Sequence, residues 1–298
     1  MSKKLIVLAG PTAVGKTALS IELARHFRCP IISGDSRQFY KEISIGTAKP
    51  TSEEMAEVKH YFVNSHSIHE PLSAGQFERE AIPIINELFE HHDYLILTGG
   101  SGLFLKAIYD GLDQFVTVSP EVKDQVIQLE KTEGLKGLQE KLEELDSVYF
   151  KEVDQQNPVR LTRAIEVCLE AKKPYSSFLD QAKSKRSFDT VKVMLNRDRK
   201  VLYDRINLRV DIMMKNGLLD EVQSVYPFKK LKSLQTVGYN EIFDLIDKKH
   251  DLTTAIELIK RNTRRYAKRQ LTWFKREGFE WFEPEQIEDI VGFVNSSE

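Results

Sequence analysis

The chain has 298 residues, of which 41% are hydrophobic and 30% charged, so it can bury the core of one large or two modest globular domains. Its net charge of −2 excludes a uniformly basic nucleic-acid-binding chain, so any surface for nucleic acid must come from local clusters of Lys and Arg. Two cysteines are too few for a disulfide framework and no apolar run is long enough to cross a membrane, so we expect a cytoplasmic protein with no membrane partner.

The first predicted element is a phosphate-binding loop. The apolar run Leu5–Ala9 predicts a buried strand, and it is followed by G-x-x-x-x-G-K-T and by a helical pattern over Lys16–Phe27. In such a loop the backbone N–H groups converge on an oligophosphate, the lysine adds a positive charge and the threonine can hold Mg²⁺. We therefore predict that ATP or another diphosphate compound is bound by Gly10, Pro11, Thr12, Ala13, Val14, Gly15, Lys16 and Thr17, with Thr17 as the ligand of a Mg²⁺ cofactor.

A carboxylate follows the second predicted strand. The run Pro30–Ser33 leads directly into Gly34 and Asp35. The carboxyl ends of parallel strands face the ligand crevice, so Asp35 is expected to lie close to whatever the loop binds. There it could take a proton from an attacking hydroxyl or amine. Alternatively, it caps the next turn or orients Mg²⁺ through water.

The third predicted strand, Tyr94–Thr98, ends in Gly99-Gly100-Ser101-Gly102 and not in an acid, since Asp93 precedes it. An ordinary NTP hydrolase needs a metal-holding acid at that end, so this class of enzyme is disfavoured. The glycines would permit close approach of the backbone to a ligand, with Ser101 as a hydrogen-bond donor; the alternative is a plain tight turn.

Helical patterns over Ser52–Tyr61 and Ala74–His91 separate the strand-like runs. Strands that alternate with helices in this way predict a parallel sheet with crossover helices. We therefore predict an α/β fold, with a P-loop NTPase-like parallel sheet as its core.

The composition and the hydrophobic pattern of the chain change at Ser119. From there to about Tyr149 it is strongly charged, Leu and Val recur at helical spacing, and two glycines at 134 and 137 are expected to break the helix. Pro158–Ala171 continues the helical pattern as far as the strand-like run Val191–Leu195. The predicted parts are the first part of the core over 1–117, an all-helical insertion domain over 118–190, and the completion of the core with a helical C-terminal part over 191–298.

A basic cluster lies near the C-terminus. Eight Lys and Arg residues fall within Lys260–Arg276 without an intervening acid up to Arg276. Such a helix suits a phosphate backbone, although a solvated basic face paired with acidic neighbours is the alternative. We expect Tyr266, Trp273 and Phe274 to interleave with the charges. The residues predicted to share one helical face are Arg261, Arg264, Arg265 and Lys268.

Two further sets of arginines stand at helical spacing. Arg205 and Arg209 form an i,i+4 pair, within a set that includes Arg197 and Arg199, and could converge on a diphosphate. Arg160 and Arg163 lie about one turn apart, where ion pairs with Glu166 or Glu170 are the alternative to RNA contact.

In this order, the motifs resemble those of the bacterial tRNA dimethylallyltransferase family, the IPP transferases. The resemblance covers nearly the whole chain, and the order and spacing of the motifs make it specific. The matching segments are Gly10–Thr17, Asp35–Tyr40, Ile45–Pro50, Gly99–Leu103, Asn157–Arg163, Leu202–Val210, Gln235–Tyr239 and Lys268–Phe274.

The resemblance implies transfer of a dimethylallyl group from dimethylallyl diphosphate to N6 of the adenosine 3′ of the anticodon in tRNA. Asp35 would be the base, while Lys16, Thr17 with Mg²⁺ and Arg209 would stabilise the departing diphosphate. The base would be extruded from its stack and its edge read by Ser36 and Gln38. The tRNA contacts would come from Asp35, Ser36, Arg37, Gln38, Ser101, Arg160, Arg163, Arg261, Arg264, Arg265 and Lys268.

Three other functions stay open on the residues alone. A small-molecule or nucleotide kinase would share the loop and Asp35 but would not need the basic helix. An adenylate isopentenyltransferase should lack the insertion and the basic segment. A non-catalytic RNA-binding module would have no reason to combine Lys16, Thr17 and Asp35. No obligate protein partner is expected, and we predict a monomer.

Overall fold

The computed structural model describes residues 3–179 and 185–297 and divides the chain into two compact units. The first unit comprises Met1–Asp110 and Arg186–Glu298, and the second comprises Gly111–Lys185. The predicted insertion covered 118–190, and its residues 180–184 lie outside the described residues. Within the described ranges, no helix combines the length and apolarity needed to cross a membrane.

The first unit contains a six-stranded sheet in which every pairing is parallel, as predicted for the fold class. The strand order is β3-β2-β4-β1-β5-β6. The strands are β1 Lys4–Ala9, β2 Ile31–Ser33, β3 His60–Tyr61, β4 Tyr94–Gly99, β5 Asp189–Leu195 and β6 Glu280–Phe282.

Helices cover both faces of this sheet, so its central strands are apolar on both sides. Leu5 and Val7 of β1 belong to one buried cluster, while Ile6 and Leu8 belong to the cluster on the other face. The helices of the first unit are α1 Lys16–Phe27, α2 Ser52–Glu57, α3 Ala74–His91, α4 Gly102–Tyr109, α8 Arg199–Lys215, α9 Leu218–Val225, α10 Tyr239–Ile246, α11 Leu252–Phe274 and α12 Ile287–Ser296.

A third cluster joins the C-terminal helices to the loop after β2. Val210 of α8, Val222 of α9, Ile242 of α10 and Ile259 of α11 are buried together with Tyr40. This packing fixes the helical C-terminal part against the loop that begins at Asp35.

The second unit is helical, with α5 Pro120–Leu145, α6 Ser147–Glu152 and α7 Pro158–Ala171. Leu138, Leu142, Leu161 and Ile165 form its core. Only one of the two glycines expected to break the helix does so: Gly134 has φ 64 and ψ −153, whereas position 137 keeps a helical backbone.

The sequence prediction differs from the structure in the length of one helix and in two short strands, β3 and β6. The helix predicted over Ser52–Tyr61 ends at Glu57, because the chain turns extended at Val58 and pairs with β2 as β3. The short strand β6 was not predicted. Phe39, in the loop after β2, is fully buried against Phe77.

Candidate active site

The phosphate-binding loop joins β1 to α1. Gly15 has φ 119, which favours glycine, and it stands immediately before the helix. The Nζ of Lys16 donates to the carbonyls of Gly10 at 2.8 Å and Pro11 at 2.9 Å. A Cβ at Gly10 would lie 2.9 Å from the side chain of Val14, so this glycine is required for packing within the loop.

A cavity of about 830 Å³ opens above this loop, within the first unit. Of the loop residues predicted to bind the diphosphate, Thr12, Ala13, Gly15, Lys16 and Thr17 line it, whereas Gly10, Pro11 and Val14 do not. The other walls come from the end of β2 and from α8 and α11. Their lining residues include Asp35, Ser36, Arg37, Gln38, Arg205, Arg209, Met213, Thr263, Tyr266, Arg269 and Gln270.

Three charged groups interact in the cavity. Burial lowers the pKa of Lys16 to about 8, with Asp35 opposing this shift and Arg209 adding to it. Burial also lowers the pKa of Arg209, again opposed by Asp35. The carboxylate therefore compensates two enclosed cations, and an anionic ligand would find both cations already held at the cavity wall.

The turn after β2 fixes Asp35. Its Oδ1 accepts from the N–H of Arg37 at 3.0 Å, so the carboxylate lines the cavity and also stabilises the following turn. The guanidinium of Arg37 donates to the carbonyls of Lys232 and Ser233, at 3.1 and 2.8 Å, and also to that of Gln235. This arginine, predicted to contact tRNA, thus holds a neighbouring segment of main chain.

Gln38 is also hydrogen-bonded within the protein. Its Oε1 accepts from the hydroxyl of Ser33 at 3.1 Å, and its Nε2 donates to the carbonyl of Ala48 at 3.2 Å. The loop that includes Ala48 is held by a residue the sequence analysis did not identify. The carboxylate of Glu221 accepts from the N–H groups of residues 44, 45 and 46 and from the hydroxyl of Tyr239.

The glycine-rich turn after β4 packs against α11. A Cβ at Gly100 would lie 2.2 Å from Nε2 of Gln270, and a Cβ at Gly102 would lie 2.4 Å from the ring of Trp273. The close approach expected for a ligand is therefore made by the protein itself. Ser101 accepts from the N–H of Ser36 at 3.2 Å and donates to its hydroxyl at 3.0 Å.

Helix α11 presents two faces of different character. Tyr266 faces the cavity, and burial together with Asp35 raises its pKa to about 12, opposed by a hydrogen bond with Ser101. Phe274 is fully buried, so the expectation that it interleaves with the positive charges is wrong. Away from the cavity, Arg261, Arg265 and Lys268 are exposed; we call these three residues the basic stripe.

No ion pair involves the basic stripe within the described part of the chain, in contrast to Lys260, which binds Asp211 at 2.8 Å. Arg264, predicted to lie on the same face, is half-buried and donates to Oδ1 of Asn207. The stripe is thus an unneutralised positive surface.

Two arginines of the second basic set donate hydrogen bonds to the main chain of the phosphate-binding loop. The Nε of Arg197 donates to the carbonyl of Val14, and the Nε of Arg205 donates to that of Ala13, both at 2.8 Å. Arg199 lies over the ring of Tyr203 and is not part of this arrangement. Of the set, Arg205 and Arg209 line the cavity, as the i,i+4 spacing suggested.

The arginines of the second unit lie on α7. Arg160 is exposed, while Arg163 approaches Glu166 at 3.8 Å and lies over the ring of Phe115. Glu170 instead accepts from Ser119. Of the ion pairs considered as the alternative to RNA contact, Arg163 thus makes only a long one, with Glu166.

Apolar side chains form the rest of the cavity wall. Helix α8 contributes Leu208, Ile212 and Met213, and Val237 follows from the segment before α10. Leu208 is 60% exposed despite being apolar, so this wall can bury a hydrocarbon group beside the charged end.

The chain is similar to known proteins over nearly its full length. The model of the family described as IPP transferase matches residues 38–277. A tRNA dimethylallyltransferase of Christiangramia forsetii is 50% identical, over 99% of each chain, and tRNA dimethylallyltransferase 1 of Bacteroides fragilis is 48% identical, over 99% of each.

Solved structures agree with this. The tRNA isopentenylpyrophosphate transferase of Bacillus halodurans superposes with a TM-score of 0.72 and 34% identity, covering 98% of this chain and 97% of that one. A eukaryotic dimethylallyltransferase described as acting on tRNA superposes with a TM-score of 0.82 and 26% identity, covering 95% of this chain and 74% of that one.

Proposed function

The chain belongs to the IPP transferase family, and on this premise we propose that it transfers a dimethylallyl group from dimethylallyl diphosphate to N6 of the adenosine 3′ of the anticodon in tRNA. It is a tRNA-modifying enzyme, and its family favours this function over that of a small-molecule kinase. We also propose that the enzyme is cytoplasmic and acts as a monomer.

One observation supports the chemistry most directly: a single cavity combines a phosphate-binding loop, two cations, a carboxylate and an apolar wall. Lys16 and Arg209 suit the diphosphate, and the side chains of α8 suit the prenyl group. A volume of about 830 Å³ is in the range of pockets that enclose small organic ligands.

The reaction breaks the C–O bond between the allylic carbon and the diphosphate and forms a bond from that carbon to N6 of adenine. An exocyclic amine is a weak nucleophile, so the site must stabilise the leaving group and align the reactants. Lys16 and Arg209 stabilise the negative charge that develops on the diphosphate. Asp35 accepts the proton that N6 loses, since its carboxylate lines the same cavity.

The residues present fit a bound Mg²⁺. Thr17 and Asp35 line one cavity and offer hydroxyl and carboxylate oxygens, which Mg²⁺ prefers. We propose Thr17 as the residue that holds the ion, and when bound it would neutralise charge on the diphosphate.

For the RNA, we propose that the target base leaves its stack to reach the cavity, where Ser36 and Gln38 contact its edge. Gln38 would have to exchange its bond to Ala48 for one to the base. Further contacts are proposed for Ser101, through its bond to Ser36, and for Arg160 and Arg163 with the anticodon loop. The basic stripe, with Arg264 beside it, would contact phosphates.

The test is mass spectrometry of unmodified tRNA after incubation with the protein, Mg²⁺ and dimethylallyl diphosphate. We expect a prenyl mass gain on one anticodon-loop adenosine. A parallel reaction contains ATP in place of the prenyl donor. Absence of the mass gain, together with phosphorylation of a small acceptor by ATP, would overturn the proposal in favour of a kinase.

A further inference from the structure

Gln270 connects three parts of the first unit. It lies on α11 and is 6% exposed. Its Oε1 accepts from the N–H of Thr12 in the phosphate-binding loop at 3.0 Å, and its Nε2 donates to the carbonyl of Gly100 at 2.9 Å. Both ends of the amide are therefore used, one on the loop after β1 and one on the turn after β4.

The chemistry of these partners specifies an amide. A backbone N–H can only donate and a backbone carbonyl can only accept, so the side chain must offer one acceptor and one donor on the same planar group. A carboxylate at position 270 would face the oxygen of Gly100 with a second oxygen. An apolar side chain would leave a buried N–H and a buried carbonyl without partners.

The bond to Thr12 also changes which amides can hold the diphosphate. The N–H of Thr12 is directed at α11 and that of Val14 at the carbonyl of Pro11, so an anion must be held by other N–H groups of the loop. Gly100 is adapted to this arrangement, because a Cβ there would lie 2.2 Å from Nε2 of Gln270.

We infer that Gln270 is a positioning residue of the donor site: it fixes the start of the phosphate-binding loop against the turn after β4, and so sets the geometry with which the loop binds a diphosphate. The inference rests on the proposed function for its effect on prenyl transfer, but not for its effect on diphosphate binding. It assigns to α11 a part in donor binding that its basic stripe does not indicate.

The experiment compares four variants of the full chain, Gln270→Met, Gln270→Glu, Gly100→Ala and the control Gln223→Glu, with inorganic pyrophosphate as the probe. In Gln270→Met the side chain keeps its length but loses both hydrogen bonds. In Gly100→Ala the glutamine remains but its amide is displaced. Gln223→Glu, at an exposed position of α9, is the matched control for Gln270→Glu. Dissociation constants come from calorimetry and folding from thermal melts.

We expect Gln270→Met and Gly100→Ala to bind pyrophosphate roughly tenfold more weakly, at temperatures where both are folded. KM for dimethylallyl diphosphate should rise in parallel, while KM for tRNA stays unchanged. A purely structural role would lower the melting temperature and leave pyrophosphate affinity at its wild-type value; that result would overturn the inference.

Gln270→Glu adds a test that does not depend on a stable methionine variant. A neutral carboxylic acid can accept from Thr12 and donate to Gly100, whereas the carboxylate cannot, so pyrophosphate affinity relative to wild type should recover as the pH falls and the acid is protonated. Asp35, Lys16, Arg209 and Tyr266 line the same cavity in both proteins, so the ratio to wild type at each pH is the quantity measured.

A ratio that stays constant between about pH 5.5 and 8, as expected for Gln223→Glu, would overturn the inference. Failure of the proposed function would show differently. In that case the wild-type protein would not prenylate tRNA, while the effects on pyrophosphate binding would still report on Gln270.

Discussion

Replacing Asp35 by asparagine removes the proposed base and keeps the local turn. An asparagine Oδ1 can still accept from the N–H of Arg37, which lies 3.0 Å from the carboxylate. The amide cannot take the proton that N6 loses, so the loss falls on the chemical step. A general base contributes on the order of 10²–10⁴-fold, and we expect the single-turnover rate to fall by that factor. This corresponds to about 2.7–5.4 kcal/mol in the activation barrier.

A second, smaller effect must be separated from the first. Asp35 raises the pKa of Lys16, against the burial and the Arg209 charge that together bring it down to about 8. Without the carboxylate the pKa of Lys16 falls further, and a larger fraction of the lysine is neutral at pH 8. The variant should therefore be assayed near neutral pH with saturating donor, where loss of binding does not limit the rate.

The assay is rapid quench of a preformed complex of enzyme, tRNA and dimethylallyl diphosphate. Asp204→Asn is the matched control, because Asp204 is exposed on the same helix as Arg209 and does not line the cavity. It should transfer the prenyl group at the wild-type rate. If Asp35→Asn kept its single-turnover rate within tenfold of wild type, the assignment of Asp35 as the base would be refuted.

Three further outcomes are expected. A lysine attracts an anion only while it is protonated, and the pKa of Lys16 is about 8. Pyrophosphate affinity, measured by calorimetry, should therefore fall by about tenfold per pH unit above pH 8. In Lys16→Arg the charge does not titrate, so this decline should be flattened. Replacing the basic stripe by glutamines should weaken tRNA binding in anisotropy titrations and leave pyrophosphate affinity unchanged. The slope of the logarithm of the tRNA-binding constant against the logarithm of salt concentration should become shallower by about 0.7–0.9 per lost phosphate contact. An unaltered slope would exclude the stripe from the tRNA interface. Gly102→Ala brings a methyl group against Trp273 and should cost about 1–3 kcal/mol in the free energy of unfolding by denaturant titration, whereas Gly292→Ala, with open space at an exposed helical position, should not destabilise.

The parts of the site predicted from sequence are those whose geometry is local. The phosphate-binding loop lies within eight residues between a strand and a helix, and Asp35 stands at the end of the next strand, so chain order alone brings them to one edge of a parallel sheet. Arg209 was found from its helical spacing to Arg205. The parallel sheet itself follows from the alternation of strands and helices.

The parts that were missed depend on packing between distant segments. Gln270 lies 258 residues from Thr12, and its role appears only when α11 crosses the phosphate-binding loop. Glu221 supports residues 44–46 in the same non-local way. One signal in the sequence could have indicated the role of Gln270. Tyr266 and Gln270 are four residues apart and so share the helix face away from the basic stripe. A polar side chain on the buried face of a helix requires a hydrogen-bond partner there.

The short strands β3 and β6 were not predicted from the sequence for a different reason. β3 has two residues and β6 has three, which is too little sequence for a period-2 pattern to be recognised. Both form because the edges of an existing sheet offer backbone partners.

The point where the chain re-enters the core after the helical second unit is held by Arg186. Its guanidinium donates to the carbonyls of Ala107 and Ile108 at the end of α4, and also pairs with Glu78 at 2.5 Å. The chain thus re-enters the first unit beside the end of α4, close to where it leaves that unit at Asp110. With respect to the first unit, the second is an insertion whose two ends lie close together. The entropy of closing such a loop grows only with the logarithm of its length, and a short linker between residues 110 and 186 should let the parallel sheet assemble without it.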